Sequence, residues 1–321
     1  MKIAVLILIA LFLITLGILA LAMHKNALCR QTKKDWNYDP STDESKMTPS
    51  GTSPYRTHAV DGNIWWNKQP IQRVEIKSQE GLLLVGNILY AINKTNKLAF
   101  VIHGHQCVSG EMGFIAKMYY EMGYNVFMPD QRAHGKSEGK YIGMGWLERR
   151  DMLLWLDRII AMLGAETKIV MHGISMGAAT VMMTCGESEL PSNVKCAIED
   201  CGYTNAYDSF LYHLQVDDSR LPFKRLIISI ASGYNRLVSH YGLKEASAVE
   251  PLRRCHVPML FIHGTHDLVV PFEMMRDLYD ACAGDKKMFI VEGAQHGISF
   301  FKNTPLYKKT VSEFVENYIG Q

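Results

Sequence analysis

Lys168-Ile169-Val170-Met171-His172-Gly173-Ile174-Ser175-Met176-Gly177-Ala178-Ala179-Thr180-Val181-Met182-Met183 is an apolar run, a glycine-flanked serine and a run of small and apolar residues in immediate succession. The first part predicts a strand over 168–172 and the last a helix, so Ser175 falls on a sharp strand-to-helix turn. Glycines on both sides let neighbouring backbone approach where a Cβ would clash, and such a turn holds a serine hydroxyl clear of the strand end. The helix that follows aims its N-terminal dipole at any anion forming beside that hydroxyl. A plain structural turn would account for the glycines, but not for the strand before, the helix after or the partners downstream.

Two such partners stand further along. His263-Gly264-Thr265-His266-Asp267 follows an apolar run and leads through Val269-Val270-Pro271 towards a helix, which places Asp267 in a loop at a strand C-terminal end. Glu292-Gly293-Ala294-Gln295-His296-Gly297 follows the last strand candidate and puts His296 in a glycine-bracketed loop with reach to both other residues. A serine, a histidine to take its proton and a carboxylate to fix the imidazole tautomer are the parts of acyl transfer. Asp200, ending another strand candidate, is the alternative carboxylate.

Outward from this core, strand candidates fall at 72–77, 82–90, 98–103, 124–129, 168–172, 195–199, 258–263 and 287–291. Gln79-Glu80-Gly81 is short enough to join the first two as an antiparallel hairpin, whereas helical stretches such as 110–122 and 144–163 separate later ones. The alternation predicts an α/β fold, an eight-stranded and mostly parallel sheet flanked by helices. The interval from about 202 to 247 is too long for a simple connection. Phe210, Leu211 and Leu214 mark one amphipathic helix in it, and Leu221, Leu226, Ile227 and Ile230 another, so it is expected to form a helical lid or, alternatively, an extra packing layer.

The short motifs V-I-H-G-H at 101–105, P-D-Q-R-A-H-G-K-S at 129–137, H-G-I-S-M-G at 172–177, F-I-H-G-T-H-D at 261–267 and E-G-A-Q-H-G at 292–297 resemble those of the α/β-hydrolase superfamily across nearly all of residues 70–321. Within it the chain looks most like the serine aminopeptidase-like and monoacylglycerol lipase-like branch, and like bacterial members with an N-terminal membrane segment. The resemblance implies Ser175 as nucleophile, His296 as general base, Asp267 as the orienting acid, and the backbone NH groups of His105 and Met176 as the oxyanion hole. It implies structural work for His103 and loop bracing for Asp130, Arg132 and His134. Ala133 stands where relatives commonly have glycine, a departure at a turn.

Composition narrows the partners. The 321 residues are 48% hydrophobic and 21% charged, and 34 Lys and Arg against 32 Asp and Glu leave a net charge of +2, which gives no electrostatic footprint for nucleic acid. Seven cysteines without a CxxC pair read as mostly free thiols. Twelve histidines raise the question of a metal, but His103, His105, His263 and His266 lack a zinc-hydrolase spacing, so no metal or cofactor is expected.

Residues 1–24 carry 21 consecutive uncharged residues from Ile3 to Met23, about 32 Å as a helix against about 30 Å of hydrocarbon. This is long enough for a single-pass anchor. Lys2 and the small-x-small Ala20-Leu21-Ala22 keep open a cleaved signal segment and a secreted product. Basic residues on both flanks leave the side of the catalytic domain open. Residues 25–66 read as a polar tether and 67–321 as the hydrolase domain. The expected reaction is hydrolysis of a carboxylic ester in a small-molecule acyl substrate. Peptidase, thioesterase and acyltransferase activities use the same fold, and a non-catalytic binding protein is the rival of another class. Oligomeric state is not legible in these patterns.

Overall fold

The computed structural model describes residues 2–31, 54–217 and 221–320. In chain order they form α1 (Lys2–Leu28), α2 (Pro54–Asn67), β1 (Gln72–Lys77), β2 (Leu83–Leu89), β3 (Lys97–Ile102), α3 (Gly113–Glu121), β4 (Asn125–Pro129), α4 (Glu148–Leu163), β5 (Lys168–Ile174), α5 (Met176–Cys185), β6 (Val194–Asp200), α6 (Ala206–Asp217), α7 (Lys224–Ser239), α8 (Val249–Arg254), β7 (Met259–Gly264), α9 (Glu273–Ala281), β8 (Lys286–Val291), α10 (Ser299–Lys302) and α11 (Thr304–Ile319).

One eight-stranded sheet runs in the order β1-β2-β4-β3-β5-β6-β7-β8. β1 pairs antiparallel with β2 and β2 with β4, and every later pair is parallel. The fold is that of an α/β hydrolase, as expected, with strand ends within two residues of the sequence reading. The reason is visible in β3: Leu98, Phe100 and Ile102 face one apolar cluster, while Ala99 and Val101 face the other. A strand buried on both faces must be apolar throughout, which makes it conspicuous in sequence.

The segment expected as a tether is different in its last part. Residues 32–53 lie outside the described residues, but 54–67 form α2, with Pro54 at the first helical position, where a missing NH is harmless. α2 crosses α3 where Gly62 and Gly113 meet, so closely that a Cβ on Gly113 would stand 2.0 Å from the Gly62 carbonyl oxygen. Trp66 is buried and Trp65 packs on Tyr120 with ring centroids 5.7 Å apart.

α1 is joined to the domain at its C-terminal end. The last four carbonyls of a helix have no partner within it. Here Gln31 Nε2 donates to the Lys25 and Asn26 oxygens at 3.1 and 2.9 Å, Gln106 Nε2 to Asn26 O at 2.7 Å, and Ile142 N to Leu28 O at 2.9 Å. The His105 Nε2 lies 2.7 Å from Ala27 O as its donor. Leu28 is fully buried in the main core, and Arg30 Nη2 donates to Gly135 O at 2.6 Å.

The interval 202–247 does contain two amphipathic helices, α6 and α7, but the second buries a different face from the one expected. Ile227, Ile228, Ala231, Asn235 and Ser239 are inside, while Leu226 and Ile230 are exposed. α7 carries two neighbouring apolar stripes, and packing against α1 and the domain selects only one of them.

Candidate active site

Ser175 lies between β5 and α5 at φ 58° and ψ −119°, a conformation that a residue with a Cβ holds only when its surroundings impose it. They do so on both sides. A Cβ on Gly173 would come within 2.2 Å of Gly177 O, and one on Gly177 within 2.2 Å of Ile102 O, so both positions exclude a side chain. The Ser175 NH donates to Asp200 O at 2.8 Å, tying the turn to the end of β6.

Loops from three strand ends converge here. His296 Nε2 is 2.8 Å from Ser175 Oγ and its Nδ1 is 2.7 Å from Asp267 Oδ2. The His296 side chain is 21% exposed and that of Asp267 is fully buried. Asp267 Oδ1 accepts from the Val269 and Val270 NH groups at 2.8 and 2.9 Å, which orients the carboxylate before the histidine arrives. Burial would raise the Asp267 pKa, but hydrogen bonds from His263 and His296, together with their charge, hold it well below the ordinary carboxylate range. An imidazole between a hydroxyl and a carboxylate held ionised is placed to accept the hydroxyl proton.

The alternative carboxylate is engaged elsewhere. Asp200 accepts from Ser299 Oγ at 3.0 Å and from Tyr307 Oη at 2.9 Å. Burial pushes its pKa up to about 6, and that of neighbouring Glu199 up to about 8.

The backbone of Met176 opens α5, and His105 follows Gly104, where a Cβ would stand 3.5 Å from Ser175 Cβ. Met176 follows Ser175 directly, and His105 lies three residues beyond the end of β3. His103 Nε2 accepts from Gln131 N at 3.0 Å while Gln131 Nε2 donates to His103 O at 2.6 Å. Arg132 makes a two-pronged contact with Asp151 at 2.6 and 2.7 Å and reaches Glu80 at 2.8 Å; His134 Nε2 accepts from Gln106 N at 3.1 Å. Asp130 accepts from the Ser109 and Lys136 NH groups, both at 2.9 Å. Ala133, at the turn where relatives commonly have glycine, takes the left-handed conformation at φ 61°.

Three contributions escaped the sequence reading. His263, four residues before Asp267, brings Nε2 to 3.3 Å from Asp267 Oδ2. Its pKa, which burial lowers, is raised overall by that carboxylate. The H-G-T-H-D motif contained the residue without revealing its partner. From α6, Tyr212 Oη donates to Asp267 O at 3.3 Å and Phe210 lies 6.5 Å from the His105 ring. The carbonyls ending α1 meet His105 and Gln106, a contact between segments about 80 residues apart that has no local signature. Among the described residues, Cys201, Asp267 and His296 group their ligand atoms within 4.8 Å, but two of the three are already committed to the serine arrangement.

Residues 111–321 match the prolyl oligopeptidase family. The chain is 31% identical over 204 residues to YqkD of Bacillus subtilis, described as uncharacterised, covering 62% of this chain and 65% of that one. It therefore spans just under two thirds of that relative. Among solved structures it is similar to the Pyrococcus furiosus esterase Pf2001, with TM-score 0.65, 20% identity, and coverage of 78% of this chain and 92% of the esterase. It also resembles an acylaminoacyl peptidase in complex with Z-Gly-Gly-Phe-chloromethyl ketone, with TM-score 0.60, 16% identity, and coverage of 80% and 43%.

Proposed function

Because this chain belongs to the prolyl oligopeptidase family, we propose that it is a serine hydrolase that cleaves carboxylic esters, with Ser175 as nucleophile, His296 as general base and Asp267 as the carboxylate that orients it. The observation that carries this reading is the unbroken chain from Ser175 Oγ through His296 to Asp267, at 2.8 and 2.7 Å.

As Ser175 Oγ attacks the acyl carbon, its proton passes to His296 Nε2, and the backbone NH groups of His105 and Met176 receive the carbonyl oxygen as it becomes an oxyanion. The leaving alcohol takes the proton from His296, and an acyl-serine remains. Water, deprotonated by the same nitrogen, then releases the acid and restores the serine. Asp267 keeps Nδ1 protonated throughout and stabilises the imidazolium. An ester is favoured by the lid: the side chains that reach the site loops from α6 are Phe210 and Tyr212, which suit an acyl chain better than a charged peptide. The family match favours peptide bonds as the second reading.

A fluorophosphonate probe tests the chemistry. It should label the wild-type chain at Ser175, label Ser175→Ala not at all, and label His296→Ala at least about a thousandfold more slowly. Equal labelling of folded wild type and Ser175→Ala would overturn the assignment. A p-nitrophenyl ester series run beside the matching anilides separates ester from amide hydrolysis; faster anilide turnover favours the second reading.

For α1 we propose a retained single-pass anchor and no signal cleavage. Leu16, Ala20, His24 and Leu28 are buried at a four-residue spacing, so cleavage beside Ala22 would strip packed residues from the fold.

A further inference from the structure

α7 has three faces. Ile227, Ile228, Ala231 and Asn235 pack inward. Arg225, Ser229 and Arg236 form a polar flank. Between them Phe223, Leu226, Ile230, Tyr234 and Leu237 recur at spacings of three and four residues, all exposed, with Leu237 77% and Phe223 56% accessible. An amphipathic helix that buries one face in its own domain should present polar residues elsewhere; a second apolar stripe marks a second apolar neighbour.

α1 identifies that neighbour. The two helices lie side by side and run in the same direction: Phe12 meets Phe223 with ring centroids 5.2 Å apart, Leu16 and Ala20 pack with Ile227 and Ala231, and His24 Nε2 lies 3.1 Å from Asn235 Oδ1. Residues 2–15 of α1 are all exposed, with Phe12 resting on Phe223. That part is about 21 Å long, less than the roughly 30 Å of a hydrocarbon layer, so a bilayer covering Ile3 to Met23 extends past Phe12 and onto α7. The exposed stripe continues the apolar surface of α1, and Arg236, paired with Glu245, follows Asn235 at the level of His24, where the apolar run of α1 ends.

We propose that the exposed face of α7 is a lipid-bilayer contact, embedded with α1 as one unit, so that the lid side of the domain rests in the membrane surface. This surface rests on the anchor reading of α1 and is independent of the chemistry assigned to Ser175. α7 in turn holds α6 through Tyr207 Oη, 3.1 Å from Arg225 O and 3.0 Å from Ser229 Oγ, and α6 reaches the Asp267 loop.

The test is quenching by brominated lipid of the full-length chain reconstituted in vesicles of phosphatidylethanolamine and phosphatidylglycerol. Tryptophan is introduced as Leu237→Trp or Phe223→Trp, with Leu306→Trp on the opposite side of the sheet as reference and the wild type subtracted for its five native tryptophans. The added fluorescence at 237 and 223 should fall about twofold or more with bromine in the acyl chains, and that at 306 should be unchanged. Quenching at 237 and 223 no greater than at 306 overturns the proposal, because α1 would then anchor a domain held clear of the lipid. Unquenched tryptophans in a chain that sediments as a dimer would put a second copy on the stripe and overturn it equally.

Discussion

The C-terminal ends of β6 and β7 lie side by side in the sheet, and each delivers a buried carboxylate towards the serine turn. Asp267 beyond β7 is surrounded by two backbone NH groups and two imidazoles, so it remains ionised below the ordinary carboxylate range. Asp200 at the end of β6 has two hydroxyls and beside it Glu199, whose Oε1 has no hydrogen-bond partner among the described residues; burial dominates and both carboxyls are raised. Residue type is the same. At Asp200, the more deeply enclosed of the two, desolvation outweighs the two hydroxyl hydrogen bonds, whereas at Asp267 direct hydrogen bonds from two imidazoles outweigh burial, and that decides which carboxylate suits an imidazole and which becomes part of the frame.

The comparison breaks most visibly in turnover. Asp267→Asn should lower kcat on the best p-nitrophenyl ester by about 10³- to 10⁴-fold, through loss of the correct His296 tautomer, whereas Asp200→Asn should lose less than about tenfold. Equal losses would mean that both carboxylates serve the histidine.

Much of this contrast was legible in the sequence, though unevenly. The strand ends and the loop positions of Ser175, Asp267 and His296 could be read because buried parallel strands are continuous apolar runs and their C-terminal loops carry glycine. The pairing of His296 with Asp267 over Asp200 could be ranked but not seen, since it depends on where Ser299 and Tyr307 return to β6. Periodicity merges the double stripe of α7 into one face, because it counts apolar positions without saying what covers them. α2 escaped because its polar composition hides a crossing made by two glycines, Gly62 and Gly113.

Stability against pH sharpens the comparison at the β6 end. The folded Glu199 carboxyl titrates at about 8, far above its unfolded value, so the stability linked to its protonated form is full below about pH 4.5 and is lost as pH rises through 8. Glu199→Gln removes that loss. Urea unfolding at pH 5 and pH 9 should show the variant gaining on the wild type by on the order of 3 kcal/mol between the two. A pH-independent difference would show that Glu199 is not buried neutral. Asp267 has the opposite sign: its stabilising charge is present above about pH 4 and is lost only on acidification.

A smaller effect is expected from the relay behind Asp200. Tyr119 Oη is 3.0 Å from His172 Nδ1, His172 Nε2 is 3.1 Å from Tyr307 Oη, and Tyr307 donates to Asp200. Burial depresses the His172 pKa to about 3, so the ring is neutral and passes one donor along the line. Tyr307→Phe leaves a carboxyl oxygen and an imidazole NH unpartnered and should cost about 1–3 kcal/mol in urea unfolding at pH 7, with the fluorophosphonate labelling rate retained.

The junction between α1 and the loop after β3 is built asymmetrically. On the helix side the acceptors are main-chain oxygens of Asn26 and Ala27; on the loop side the donors are the side chains of His105 and Gln106. Sequence drift at 26 and 27 can change every side-chain atom there and leave the acceptors standing, whereas one substitution at 105 or 106 removes a donor outright. Tolerance to mutation should therefore differ across this seam, with the end of α1 free to vary and the loop it touches held to a few residue types.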